Sequence, residues 1–435
     1  MKYYFVGIKG SGMSALALCL NDIGEKVIGS DSNNYYFTEE KLKEKNIPIL
    51  IFNKNNIKED NKYIYIISYA YNENNNEEVK KIFENNYQYY YYGDFINNYF
   101  NNIKIGVSGT HGKTTTTTLL KTLFYNNEVS YIIGDGNGKG VSNSKYLIFE
   151  ACEYQQHFLS YNYDYLIINN IDYDHPDYYN NINEVITAFN NVSKKAKNII
   201  INNDDSNCNK IKYNNKYTFG IKNDSFVTGE IVQKDRRGYK LKVKVKKDTY
   251  YFDLPFFGEY MIYNFLASFT MFYLTHNINK QTILYLNNEL KKYNNPKRRK
   301  EEIVLKNNNI IIDDYAHHPT AIKYTYDAIK EKYEDYDITI VFQPHTYSRT
   351  IFLYKEFQEV FKNKNVYIMK TYKSREKEDL LKEETINGIF KEQNKYNIND
   401  VLKLLEKPKK IVLFMGAGDI YKEINKVISK INCKL

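Results

Sequence analysis

At 435 residues the chain exceeds what one hydrophobic core supports, and roughly two to four units are expected. Hydrophobic residues supply 43% of it, which excludes disorder throughout; the wealth of Asn, Lys, Ile and Tyr reads as compositional bias rather than a prion-like tract. The net charge of +9 is spread along the sequence with only short runs such as Lys297 to Lys300, so it suits a small anionic substrate and, without a recognition motif, excludes nucleic acid.

Near the N-terminus, apolar runs at Tyr3 to Ile8, Lys26 to Gly29 and Tyr63 to Ile67 alternate with a helical stretch at Met13 to Leu20, the rhythm of βαβ units on a parallel sheet. Gly7-Ile8-Lys9-Gly10-Ser11-Gly12-Met13-Ser14 follows the first strand, and Ser30-Asp31 ends the second. Glycines there let a diphosphate approach the backbone at a helix N-terminus, while an acid after the second strand can bond a ribose hydroxyl. The candidate substrate residues are therefore Gly10, Ser11, Gly12, Met13, Ser14 and Asp31, with Lys9 adding a positive charge beside the diphosphate. Because the run departs from G-x-G-x-x-G, a dinucleotide site, another nucleotide-diphosphate site and a plain structural turn all stay open.

A second unit begins with the strand Ile103 to Ser108, which runs into Gly109-Thr110-His111-Gly112-Lys113-Thr114-Thr115 and a Thr/Leu-rich helix. In a strand-loop-helix setting, backbone N–H groups surround polyphosphate, Lys113 reaches the terminal phosphates and the Thr114 hydroxyl can ligate Mg²⁺. Ser108 to Thr115 are accordingly the candidate nucleotide residues; Val107 replaces the first glycine of the strict pattern, and a Gly/Thr turn with a chance lysine is the alternative. Further strands are expected at Tyr146 to Glu150, Tyr165 to Asn169 and Asn198 to Ile201, followed between Phe226 and Phe252 by strict alternation that predicts an antiparallel ribbon, a satellite of the central sheet. Two of these strands end in Glu150-Ala151-Cys152-Glu153 and Asn170-Ile171-Asp172-Tyr173-Asp174-His175-Pro176-Asp177, where carboxylates and an imidazole can bind Mg²⁺ and orient a γ-phosphate.

Past Asn294-Asn295-Pro296 a third alternation predicts strands near Ile310 to Asp313, Ile338 to Phe342, Val366 to Lys370 and Ile411 to Met415. Linkers near 97 to 102 and 294 to 297 give units 1–98, 99–295 and 296–435. Strand ends here carry Asp313-Asp314-Tyr315-Ala316-His317-His318-Pro319-Thr320 and Phe342-Gln343-Pro344-His345-Thr346-Tyr347-Ser348-Arg349-Thr350. Arg349 with His345 can clamp a carboxylate or phosphate, unless these are only turns rich in capping residues. Six of the seven histidines, His111, His157, His175, His317, His318 and His345, sit in such polar segments, a clustering hard to ascribe to packing. Cys19, Cys152, Cys208 and Cys433 show no metal or disulfide spacing, and no apolar run reaches about 18 residues, so a cytoplasmic protein without membrane insertion is expected.

Taken in order, with Met415-Gly416-Ala417-Gly418-Asp419-Ile420 as the last, these motifs resemble those of the Mur ligase family from residue 7 to residue 420, and most closely its L-alanine-adding branch. The resemblance implies an α/β protein of three domains: an N-terminal Rossmann-like domain for UDP-N-acetylmuramate, a central P-loop ATPase-type domain with a mostly parallel sheet, and a C-terminal Rossmann-like domain that closes over ATP and the amino acid. It implies attack of the lactyl carboxylate on the γ-phosphate of ATP, then aminolysis of the acyl phosphate by L-alanine, in peptidoglycan precursor synthesis. By the same resemblance Thr114, Glu153 and His175 are the Mg²⁺ ligands and Lys113 meets the phosphates. Asn264 lies near adenine, Arg299 and Asp314 near the ATP phosphates and ribose, and His345, Tyr347, Arg349 and Arg375 at the substrate end. The implied catalytic set is Lys113, Glu153, His175, His345 and Arg349, in a monomer or homodimer.

Four positions depart from the family pattern: Tyr260 stands where His is usual and Lys300 where an aromatic follows the paired arginines, Ala321 follows Thr320 where an acid is common, and Ser374-Arg375-Glu376 is one residue short. They bear on adenine affinity and amino-acid selectivity. A sister ligase with another acceptor and a nucleotide-binding regulatory protein are the competing expectations.

Overall fold

A computed structural model describes residues 1–58, 62–374 and 376–433. Three sheets follow one another along the chain. The first is wholly parallel, in the order Ile49–Ile51, Lys26–Asp31, Lys2–Val6, Ile64–Ile67 and Tyr89–Tyr91. The second has ten strands in the order Asp248–Leu254, Gly238–Val245, Val227–Asp235, Lys216–Gly220, Ala196–Asn202, Tyr163–Ile168, Ile103–Ser108, Tyr146–Glu150, Val129–Ile132 and Gly138–Lys139. The third has six: Glu301–Val304, Ile310–Asp314, Lys410–Met415, Asp337–Phe342, Asn365–Ile368 and Asn394–Lys395, all parallel except the first pair. The expected mostly parallel α/β architecture is present. The expected ribbon is there too, Val227–Asp235 pairing antiparallel with Gly238–Val245 and that strand with Asp248–Leu254, but it is a continuation of the central sheet, because Val227 and Thr228 also pair in parallel with Phe219 and Gly220.

Strands covered on both faces must be apolar at every position, which is why these segments read as unbroken hydrophobic runs. In the central sheet the alternation of side chains splits each run between two cores: Leu147, Phe149, Leu166, Ile168, Ile199 and Ile201 enter one, while Ile148, Ile167 and Ile200 enter the other with Ile105 and Val107. The Asn-rich composition has a local use. Asn76, Asn181, Asn279 and Asn397 cap helices through their side chains, and Asn46, Asn86, Asn143, Asn308 and Asn363 take left-handed backbone positions that a chain with 20 glycines otherwise fills sparingly.

One apolar cluster runs across the first and second sheets, joining Tyr3, Phe5 and the helix Ser11–Asp22 to Phe149, Tyr163 and Phe189. Contact is closest where Gly138 and Gly140 meet the backbone of that helix: a Cβ at Gly138 would lie 1.7 Å from the Ala15 carbonyl oxygen, and one at Gly140 2.1 Å from that of Cys19. The obstacle is backbone and cannot swing away. Gly138→Ala should therefore cost about 3 kcal/mol or more in urea unfolding of the whole chain, whereas Gly388→Ala, in the helix Leu380–Ile389 where a Cβ meets nothing within 4 Å, should cost nothing and gain up to about 1 kcal/mol.

Candidate active site where three sheets meet

The phosphate-loop candidate leaves the strand Ile103–Ser108 and enters the helix Lys113–Leu123. Gly109 and Gly112 hold φ of +129° and +82°, and a Cβ at Gly112 would stand 2.7 Å from the Asn264 Oδ1, so Asn264 lies directly against the loop. Neighbouring asparagines hold its shape: Asn170 Oδ1 accepts the His111 N–H at 2.8 Å, and Asn170 Nδ2 donates to the His111 carbonyl at 3.0 Å. Lys113 curls back over the loop, donating to the carbonyls of Gly109 (2.6 Å) and Thr110 (3.2 Å) and to Glu153 Oε2 (2.7 Å). Burial opposes ionisation of Glu153, yet Lys113 and His175 hold its carboxyl below the ordinary range. His175 Nε2 sits 3.7 Å from Glu153 Oε1, at a left-handed residue with φ of +58°, and its Nδ1 is buried with no hydrogen-bond partner. Lys113, Glu153 and His175 are thus brought together. Thr114 turns to Glu150, its Oγ1 lying 3.2 Å from Oε2, while Thr115 is buried and the Ser108 hydroxyl is buried without a partner.

The segment before His175 fastens the third sheet to the second, each residue with a different grip. Asp172 accepts from Thr320 Oγ1 at 2.8 Å and faces His111 Nε2 at 3.2 Å. The Tyr173 carbonyl meets His318 Nε2 at 3.1 Å. Asp174 takes the Arg349 Nε–H at 2.7 Å, with the two residues only 6% and 4% exposed. Arg349 also donates to the His345 carbonyl at 2.6 Å, so these two are tied to Asp174, the residue before His175. His111, Asp172 and His318 place their ligating atoms within 4.8 Å of one another, but His318 Nδ1 accepts the Thr320 N–H at 3.2 Å to cap the helix Pro319–Lys332, so both its nitrogens are engaged.

At the N-terminal turn Gly10 caps the helix and Ser11 to Ser14 form its first turn, but several expected contacts are used internally. Lys9 is buried, tied to Glu39 at 2.8 Å and to the carbonyls of Ser32 and Asn34, so the positive charge expected beside a diphosphate is neutralised where it stands. Asp31 accepts the backbone N–H groups of Lys9 and Ser32, both at 2.7 Å, and holds the turn. Met13 and Tyr347 bury their side chains in apolar clusters, and Ser14 Oγ donates to the Ser11 carbonyl. Asp314 likewise satisfies its own neighbourhood, accepting from Lys300 N (2.8 Å), Ala316 N (2.8 Å) and Thr325 Oγ1 (3.1 Å). Arg299 lies over the Tyr315 ring at 4.9 Å. Arg375 lies outside the described residues.

Three family models match in succession: "Mur ligase family, catalytic domain" over residues 2–102, "Mur ligase middle domain" over 107–272, and "Mur ligase, glutamate ligase domain" over 298–418. The UDP-N-acetylmuramate–L-alanine ligase of Streptococcus thermophilus is 40% identical across 96% of this chain and 94% of its own length. The chain belongs to the Mur ligase family. Among solved structures, the UDP-N-acetylmuramate-alanine ligase of Thermotoga maritima shares the fold at a TM-score of 0.80 and 23% identity, covering 100% of both chains. A second Thermotoga maritima Mur ligase, solved in complex with ADP, matches at 0.61 and 15% identity over 95% of this chain and 96% of its own.

In this Mur ligase two of the departures from the family pattern touch each other: the Lys300 ammonium lies 4.9 Å over the Tyr260 ring and donates to the Phe257 carbonyl at 3.3 Å. Neither position signals the other in sequence. Also unforeseen is Arg298, which fixes the third sheet's motif loops by bonding Asp313 and the carbonyls of Gly416 and Gly418 between the rings of Tyr315 and Tyr421. The paired arginines were a visible signal, but only burial tells which one faces inward.

Burial pushes the Lys300 ammonium down from 10.5 to about 8. Between those values the unfolded chain keeps a proton that the folded chain has released, so this residue makes stability rise with pH across the window. Lys300→Met should remove a rise of about 1–3 kcal/mol between about pH 8 and pH 10, read as the difference between the two proteins in urea titrations. Arg349→Ala strands the buried Asp174 carboxylate and should cost about 3–5 kcal/mol in the same assay at neutral pH. A loss under about 1 kcal/mol would show that water reaches Asp174.

Proposed function

We propose that this chain is an ATP-dependent ligase that joins L-alanine to the lactyl carboxylate of UDP-N-acetylmuramate in peptidoglycan precursor synthesis. The observation that carries the reading is the joining of two clusters by two consecutive residues: His175 faces Glu153, which Lys113 of the phosphate loop also bonds, while Asp174 holds Arg349, which in turn holds the His345 carbonyl. A nucleoside triphosphate at the first cluster and an anionic acceptor at the second would be neighbours, which is what transfer of a γ-phosphoryl group to a carboxylate requires. The end-to-end likeness to L-alanine ligases supports the acceptor. The first sheet is assigned to the UDP-sugar, the second to ATP and the third to closure over ATP and the amino acid.

Thr114 Oγ1, Glu153 and His175 would hold Mg²⁺; a hydroxyl and a carboxylate suit this hard cation, and the unpartnered Nδ1 shows that His175 retains a nitrogen for further bonding. When bound, Mg²⁺ supplies positive charge against the polyphosphate. Lys113 now neutralises Glu153 and moves to the terminal phosphates when they arrive, and Asn264, against Gly112 of the loop, is assigned to the adenine side. Bonds to Asp174 and His345 engage Arg349 Nε and Nη1, leaving Nη2 as the donor that orients an anionic substrate group. The carboxylate attacks the γ-phosphorus and expels ADP, the L-alanine amine attacks the acyl carbon, and the tetrahedral adduct releases phosphate. Docked sheets keep water from the acyl phosphate in between. The reaction is assigned to the cytoplasm; no helix among the described residues is long and apolar enough to cross a membrane.

Phosphate release from ATP with Mg²⁺ should require both UDP-N-acetylmuramate and L-alanine, with glycine, L-serine, D-glutamate and short peptides as comparison acceptors. Dependence on a different acceptor would move the assignment to a sister ligase. Lys113→Ala should abolish release, a loss of at least about a thousandfold, and should also lower the unfolding midpoint, because it strands the buried Glu153 carboxylate; near-normal turnover would remove the loop from the mechanism.

A further inference from the structure

Glu150 ends the strand Tyr146–Glu150 beside the phosphate loop and has no part in the reaction as proposed. Its carboxylate joins two elements distant in sequence. Oε2 lies 3.2 Å from Thr114 Oγ1, and Oε1 accepts the Gly134 N–H at 2.6 Å. A hydroxyl has one donor and two lone pairs, whereas an ionised carboxylate only accepts. Burial raises the Glu150 carboxyl and the Gly134 N–H opposes that rise; in its ionised form Glu150 takes the Thr114 proton, which leaves both lone pairs of Oγ1 for another partner. Gly134 belongs to the tight turn closed by Ile133 N–H to the Asn137 carbonyl at 2.8 Å, between the strands Val129–Ile132 and Gly138–Lys139. On the far side of that turn, a Cβ at Gly136 would meet Thr38 at 2.7 Å and Ser14 Oγ at 3.2 Å, and Gly138 abuts the Ala15 carbonyl. The same hairpin thus touches Glu150 at one residue and, two to four residues later, the helix that begins at the N-terminal glycine turn.

We propose that Glu150 is a positioning residue: it aims the Thr114 oxygen at the metal and fixes that oxygen to the hairpin on which the N-terminal helix rests. This rests on the reading of Thr114 as a metal ligand. Gln at this position would keep the bond from Gly134 but present N–H to Thr114, turning the hydroxyl round.

Nucleotide binding by the full chain, followed calorimetrically with ATP across a Mg²⁺ titration and again in EDTA, separates the alternatives. Glu150→Gln should raise the Mg²⁺ concentration needed for half-maximal enhancement of ATP binding by about ten- to hundredfold, with affinity in EDTA unchanged. Gly134→Ala reaches the same carboxylate from outside the site, because its Cβ would fall 2.5 Å from Glu150 Oε2, a movable side-chain end. It should shift the titration in the same direction even if Glu150→Gln does not fold. Thr114→Ala should also shift it, and adding Glu150→Gln to that variant should change nothing further. If Thr114→Ala shifts the titration while Glu150→Gln and Gly134→Ala leave it in place, or if the double variant is additive, the role given to Glu150 is wrong and the metal reading stands. An unmoved titration in Thr114→Ala would overturn both.

Discussion

Arg349 and Asp174 meet at 2.7 Å in a place where neither could remain charged alone. An isolated buried charge costs several kcal/mol, so the pair forms only when the third sheet docks against the strand end of the second. Burial would raise the Asp174 carboxyl, and Arg349 with the surrounding histidines holds it well below the ordinary range instead. Docking then sets the neighbours on either side: Asp172 and Tyr173 take up Thr320 and His318, and His175 is left facing Glu153. The ion pair therefore orders a stretch that touches both the second and the third sheet.

The same economy governs the phosphate loop. Lys113 is fully paired through two carbonyls and Glu153, so no charge is left uncompensated before polyphosphate arrives. Exchange of one set of partners for another keeps the cation satisfied throughout. The loop is held in a fixed shape: Gly112 is pressed against Asn264, and Asn170 takes the N–H groups of Thr110 and His111 and holds the His111 carbonyl, which removes reorganisation from the chemical step.

Strand-ending motifs at Glu150 to Glu153 and Asp172 to His175 were legible because parallel strands deliver their C-terminal ends to one edge, and polar residues there have few structural reasons to cluster. The internal partners of Lys9 and Asp31 were not legible. A lysine and an acid beside a glycine turn look the same in sequence whatever they face, and here Asp31 accepts the Lys9 N–H while Glu39, eight residues beyond it, pairs with the Lys9 ammonium. Met13 and Tyr347 sit in motifs yet point into apolar cores, since every second or third position of a motif on a helix or strand must face inward.

By itself the sequence determined what depends on short-range order: the apolar runs that become doubly covered strands, the glycine-bearing turns, and the order of the motifs that marks the family. Tertiary structure alone decided which charges pair. The partners of Asp174, Glu150 and Lys300 lie on other elements, and the union of the first two cores depends on glycines at 138 and 140 that admit a helix backbone. Such contacts turn on distances of a few tenths of an ångström between segments remote in the chain, and residue type and spacing do not encode those distances.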